Sequence, residues 1–283
     1  MQKILACIDA SNYANSVCDL AAWAAKRLEM PVELLHIVQR KDAVAARGDL
    51  SGAIGLGAKT DLMEELVRLE ETDARLQVER GRALLKAGEA RLRESGVADV
   101  AVLHRHGGIV ETILEQEADA RVVVIGKRGA GHEFATDHIG SKIERVVRAS
   151  SKPILIANRA AQAPSSVVFA YDAGPAADRA LERLVNSPLF VGLPVHIVMA
   201  DSENDGHRRA LEAAAEQLRA GHEVTTSLRK GKPEQVIAEI VEQTPGAMLV
   251  MGAYGHSPLR TLIVGSTTTT MVRTVHAPVL LVR

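Results

Sequence analysis

Aromatic side chains are nearly missing from this sequence: three Phe, three Tyr and one Trp make up 2% of 283 residues. That scarcity removes the platforms on which single-strand nucleic-acid binders stack successive bases. A basic surplus is missing too. Lys and Arg number 34 against 35 Asp and Glu, for a net charge of −1, so nothing pulls the chain toward nucleic acid or an anionic membrane. Only two cysteines are present, Cys7 and Cys18, in different predicted elements and without metal-ligand spacing. Buried or idle thiols in a reducing cytosol are expected rather than redox chemistry. No apolar run is long enough to span a membrane, and a strand beginning at Lys3 leaves no signal peptide. A globular cytoplasmic protein is the expectation.

What fills the chain instead is Ala, Val, Leu and Ile, the material of parallel α/β domains, over a length that suits about two domains. A first strand, Lys3 to Ile8, ends at Asp9-Ala10-Ser11. Ser11 or Asn12 can cap a helix running to about Leu28, with Val17, Leu20, Ala21, Ala24 and Leu28 in its stripe. A second strand runs from Pro31 to Val38. From Asp42 to Lys59 the chain is rich in Ala and Gly; it lacks phosphate-binding order and reads as a surface loop. Thr60 to Glu94 is strongly helical, with Leu62, Leu66, Leu69 and Leu76 at helical spacing and Gly81 and Gly88 as places to bend or divide it.

A third strand, Asp99 to Arg105, places His104 and His106 on one face by alternation. With no third ligand nearby in sequence, the pair weighs against a metal site. After Gly107-Gly108, a helix from about Val110 to Ala118 leads to a fourth strand, Arg121 to Ile125. That strand ends in Gly126-Lys127-Arg128-Gly129. Gly140-Ser141 then opens a helix to about Ala149, and a fifth strand runs from Pro153 to Ala157.

Beyond the linker-like stretch from Arg159 to Ser166, the pattern begins again. Asp9 reappears as Asp172 and Pro31 as Pro194; Gly107, Gly126, Gly140 and Pro153 correspond to Gly231, Gly252, Gly265 and Pro278. Strands alternating with helices imply right-handed crossovers and a parallel sheet covered on both faces. The organisation read from this is a first domain over 1–158 with a long insertion at about 42–95, a linker at 159–166, and a second domain over 167–283.

The most informative stretch runs from Met248 to Thr268. A buried strand stops at Gly252, Gly255 follows, and Gly265-Ser266-Thr267-Thr268 leads into a helix. Glycines at a strand end let backbone approach a ligand, and a Gly-Ser-Thr helix start offers free N–H groups and hydroxyls to an anion. A glycine turn followed by an ordinary Ser/Thr cap is the competing reading.

This pattern resembles the universal stress protein family, whose nucleotide-binding members carry G-x2-G-x9-G-(S/T) after the fourth strand. Gly252, Gly255, Gly265 and Ser266 match it without a gap, and the resemblance covers the whole chain twice over. It implies two tandem doubly wound α/β domains, each a five-stranded parallel sheet of Rossmann-like order 3-2-1-4-5, in a pseudo-twofold arrangement. In such a sheet ligands bind where the winding reverses, between strands one and four. The resemblance further implies that Asp172 contacts a nucleoside and backbone at Ala200 contacts adenine. Gly252 would lie near the ribose, with Gly255, Gly265, Ser266, Thr267 and Thr268 around the phosphates. The matching positions in the first copy are Asp9, Ile37, Gly126, Gly129, Gly140 and Ser141. There Gly129 and Gly140 are separated by ten residues rather than nine, and the loop carries Glu133 and Asp137, carboxylates that would repel phosphates if they pointed inward. The second copy is therefore the expected better site.

The ligand implied is ATP or another adenine nucleotide, with or without magnesium, whose occupancy serves as a signal in a stress response. No Walker-type lysine, nucleophile elbow or His-Glu-x-x-His is present, and His256 has no visible catalytic partner. A slow ATPase or phosphotransferase, or a nucleotide-free adaptor for another small ligand, are the alternatives. The final strands, Pro153 to Ala157 and Pro278 to Val282, are expected to pair with each other as an intramolecular pseudo-dimer. A homodimer of tandem chains is left open.

Overall fold

The computed structural model describes residues 2–39, 56–129, 141–253 and 266–283, with the backbone alone for 56–64, 66, 141, 266 and 267. The first half carries β1 (Lys3–Cys7), α1 (Ala14–Leu28), β2 (Val32–Val38), α2 (Leu56–Glu94), β3 (Val100–His106), α3 (Ile109–Gln116), β4 (Ala120–Gly126), α4 (Ser141–Ala149) and β5 (Ile154–Ala157). The second half repeats the alternation with β6 (Ser166–Ala170), α5 (Pro175–Asn186), β7 (Val195–Met199), α6 (Asp205–Arg219), β8 (Val224–Leu228), α7 (Pro233–Gln243), β9 (Ala247–Gly252), α8 (Ser266–Thr274) and β10 (Val279–Val282).

These ten strands form one sheet in the order β3-β2-β1-β4-β5-β10-β9-β6-β7-β8. Read inward from each edge to the centre, each half has the expected 3-2-1-4-5 order. Every pairing within a half is parallel, and the two halves meet where β5 and β10 run antiparallel with Leu155 opposite Leu280. The expected pairing of the two last strands is thus observed. Nearly continuous apolar runs explain the strands: Val122 to Ile125 and Met248 to Met251 are buried because helices cover both faces of the sheet. On one face α1, α5, α6 and the later turns of α2 pack against Ile4, Leu34, Val167 and Val250; on the other α3, α4, α7 and α8 cover Leu5, Val123, Leu249 and Leu281.

Donors exchanged across the join tie the halves together. Asn158 Nδ2 donates to the His276 carbonyl, and Arg283 Nη1 donates to that of Ser150. Asn158 and Arg283 each stand just after the last strand of their half, so each reaches the end of the last helix of the other. Lys127 Nζ, 3.1 Å from the Val275 carbonyl, adds a buried cation at the C-terminus of α8, where the helix dipole favours positive charge.

The long helix departs from expectation in two ways. It begins at Leu56 rather than Thr60, and it runs undivided past both glycines. Their role is close approach. A Cβ at Gly81 would lie 2.5 Å from His104 Nε2, and one at Gly88 would lie 2.7 Å from Leu34 Cδ2. Removing the side chain lets the helix settle onto β2 and β3, which outweighs the propensity cost of about 1 kcal/mol for each glycine.

Under Gly81 the two predicted histidines do share a face, and the β2–β3 register adds a third, setting His36 beside His104. Ring centroids are 5.4 Å apart for His36 and His104 and 5.8 Å for His104 and His106. Among the described residues no group of three His, Cys, Asp or Glu is arranged to hold a metal. Burial is the main reason that His104 titrates below its ordinary 6.5, reinforced by His36, His106 and Arg82. Lys86 and Glu89 of α2 line the same groove. A histidine depressed on folding binds fewer protons folded than unfolded near neutrality. Its contribution to stability is therefore complete above 6.5 and is lost as the pH falls through the lowered value. Urea denaturation at pH 7 and pH 5 should show stability falling toward acid, and His104→Asn should flatten part of that slope. An unchanged slope would assign it elsewhere.

Candidate functional site

In each half the winding reverses at the carboxyl ends of the strands, between β1 and β4 and between β6 and β9, the place where an open parallel sheet forms its cleft. In the second half, Asp172 stands exposed two residues past β6. Its Oδ1 accepts the backbone N–H of Gly174, at 2.9 Å, in a turn that feeds α5. The intervening Ala173 has a φ of 55°, a left-handed value that non-glycine residues rarely adopt. Ala200 follows directly on β7 and is half-buried.

Across the cleft, β9 ends at Gly252. A Cβ there would stand 2.4 to 2.6 Å from the backbone of Ala176 and Ala177, so the missing side chain lets the first turn of α5 press against the strand. After it the next described element is α8, headed by Ser266 and Thr267; Thr268 is buried, and the buried hydroxyl of Thr269 has no hydrogen-bond partner among the described residues. Gly255 and Gly265 lie outside the described residues, as does His256.

The first half repeats this plan with tighter surroundings. Asp9 Oδ1 accepts the N–H of Ser11 at 3.1 Å, the counterpart of the Asp172 turn, but its carboxylate is part-buried. A Cβ at Gly129 would stand 2.9 Å from Asp9 Oδ2, so the backbone after β4 lies close against that aspartate. Gly126 repeats the role of Gly252: a Cβ there would lie 2.7 Å from Tyr13 Cβ, at the start of α1. Ile37 differs from its counterpart Ala200. It is inside β2, opposite Arg105 on β3, because the β2–β3 ladder continues to Val38 and His106. Gly140 lies outside the described residues, and Ser141 is the first residue of α4.

Comparison with known proteins agrees with this duplicated plan. The model of the universal stress protein family matches residues 1–158 and again 165–283. The chain belongs to that family. A relative from Synechocystis sp., Universal stress protein Slr1230, is 34% identical over 287 residues, spanning 100% of both chains. Among solved structures, a universal stress protein from Archaeoglobus fulgidus has a TM-score of 0.73 at 21% identity, covering 99% of this chain and 98% of its own. A putative universal stress protein from Pseudomonas aeruginosa has a TM-score of 0.63 at 15% identity, covering 100% and 93%. These two show a shared fold.

Within this universal stress protein the structure brings Asp172, Ala200, Gly252 and the head of α8 to one end of the sheet. It does the same for Asp9, Gly126, Gly129 and the head of α4. Sequence reasoning missed Tyr13 and Ala176: the strand-end glycines receive the side chain of the first and the backbone of the second. The signal was present: they stand four residues after the repeated aspartates, at the same point in both copies. The cysteines take no part. Burial pushes the Cys18 thiol up to about 12 and pushes the Cys7 thiol higher still, so neither supplies thiolate near neutral pH. No helix among the described residues is long and apolar enough to cross a membrane.

Proposed function

We propose that this protein binds ATP or a related adenine nucleotide, mainly in its second half, and that occupancy acts as a regulatory signal. The observation that carries the reading is the juxtaposition at the end of the β6–β9 switch point. An exposed carboxylate, Asp172, just past β6, and the start of α8, which follows β9, lie at the same end of the sheet. A carboxylate suits ribose hydroxyls as an acceptor; a helix start rich in hydroxyls, with free N–H groups, suits phosphate. The Thr269 hydroxyl in the first turn of α8, buried and without a partner among the described residues, fits the same reading, since a buried polar atom costs stability unless something supplies a partner. Asp172 would hold the nucleoside. Ser266, Thr267 and Thr268, with the glycines before them, would hold the phosphates. A magnesium ion would arrive with a triphosphate, because no described cluster of acidic or histidine ligands could retain it alone.

The same reasoning ranks the first cleft second. Its aspartate is less open and has backbone packed against it, and Ile37 is engaged within the sheet. Calorimetry with ATP and ADP tests the proposal. Asp172→Ala should weaken binding about tenfold, the equivalent of one charge-assisted hydrogen bond. Gly265→Val should abolish most of it, and Gly140→Val should matter less. A wild-type protein that takes up neither nucleotide would refute the function; equal losses from the two glycine variants would refute the ranking.

A further inference from the structure

The 39 residues of α2 extend for about 58 Å, well beyond the strands it covers. Among the described side chains, only those of its later turns enter the core, at Gly81, Leu85, Gly88 and Leu92. Among the described side chains from 65 to 80 none is buried. Yet this projecting half carries large apolar groups: Leu69 is 58% exposed, and Leu76 and Val67 are each 49% exposed. Leu69 and Leu76 are one heptad apart, and the sequence places Leu62 a heptad earlier. Leu76 stands roughly 140° around the helix from Gly81, so this line does not continue the stripe that faces the sheet.

Charge is distributed unevenly along the same segment. Glu65, Glu70, Glu71 and Asp73 precede Arg75, Arg80, Arg82 and Lys86, so the helix is acidic toward its start and basic toward the body of the protein. Glu79, paired with Arg82 at 2.8 Å, is an exception within the basic half, and Arg68 is one within the acidic half. Two such helices side by side in parallel would set like charges together. Laid antiparallel, each acidic half runs along a basic one.

We propose that this face of α2 docks against the same face of a second copy of the chain, antiparallel, forming a two-helix seam between two tandem molecules. A twofold axis passing between Thr72 and Asp73 sets Leu69 against the partner's Leu76 and Leu76 against the partner's Leu69. The same axis puts Glu65 alongside the partner's Arg80. The occupant is a second copy because one twofold satisfies both the heptad leucines and the charge reversal, as an isologous contact requires. Burying those leucines supplies the attraction; the charges select the orientation. This seam lies on α2 and involves neither the β5–β10 join nor either cleft.

Light scattering coupled to size exclusion, with sedimentation equilibrium, tests the proposal on the full chain. Wild type is expected to dimerise in the micromolar range, and Leu69→Glu/Leu76→Glu to be monomeric with an unchanged circular dichroism spectrum. Glu65→Lys should weaken the dimer severalfold, and adding Arg80→Glu should restore it. A wild type that stays monomeric to several hundred micromolar would overturn the proposal, as would a leucine variant that still dimerises as tightly. Failure of Arg80→Glu to rescue Glu65→Lys would overturn the antiparallel register.

Discussion

Replacing Gly252 by alanine is expected to destabilise the protein by about 3 kcal/mol or more, the upper range for inserting a methyl group into a packed interior. The new Cβ would stand 2.4 Å from the carbonyl carbon of Ala176, 2.5 Å from its oxygen and 2.6 Å from the Ala177 nitrogen. No side chain can rotate away, because all three are backbone atoms at the start of α5. Either β9 or α5 must shift, and both line the second cleft. Gly126→Ala should cost less, since its nearest obstacle is the Tyr13 Cβ at 2.7 Å. Gly221→Ala is the control: among the described residues nothing lies within 4 Å of a Cβ there, and a change within about 0.5 kcal/mol is expected. Urea denaturation of the three variants decides the matter. A Gly252→Ala protein as stable as Gly221→Ala would mean that the close approach of α5 does not hold β9.

The second large effect belongs to the join between the halves. Leu280 is 1% exposed and lies opposite Leu155, itself fully buried, in the antiparallel pairing of β10 with β5. Leu280→Asp is expected to cost about 4 kcal/mol or more near pH 8, since it removes a packed side chain and leaves a carboxylate buried without a designed partner. The loss should depend on pH. Burial raises the carboxyl pKa in the folded state, so the folded protein holds more protons than the unfolded one above about pH 4. Stability of the variant should then fall as pH rises from there through the raised value, and recover toward pH 5. Leu280→Ala, which buries no charge, should lose less at pH 8 and show none of that added dependence. Matching pH profiles for the two variants would show that water reaches the join.

Much of this architecture is readable from residue order because its signals are local. Apolar runs of strand length, ended by glycine and followed by amphipathic stretches, specify alternation; alternation in a parallel sheet restricts the connections to one hand. The 3-2-1-4-5 order is different. It came from the family resemblance, since no local pattern tells β4 to lie beside β1 rather than beside β3. That α2 runs undivided is not legible in the sequence for a related reason. Gly81 and Gly88 lower helix propensity wherever they stand, and only the presence of His104 and Leu34 beneath them makes them favourable.

The sequence by itself determined that the chain is a duplication, that each copy alternates strand and helix, and that each carries an aspartate after its first strand and glycines after its fourth. Those are properties of neighbouring residues and of spacing, and they survive without coordinates. Tertiary structure alone decided which of those glycines face a helix, through Ala176 at Gly252 and Tyr13 at Gly126. It alone decided that His36 joins His104 and His106, through a strand register, and that Ile37 is held in a ladder where Ala200 is not. It also decided that half of α2 projects past the sheet with its leucines exposed. Each of these depends on what lies opposite a residue across a sheet or beneath a helix. That is a relation between distant segments, and the order of residues along the chain does not contain it.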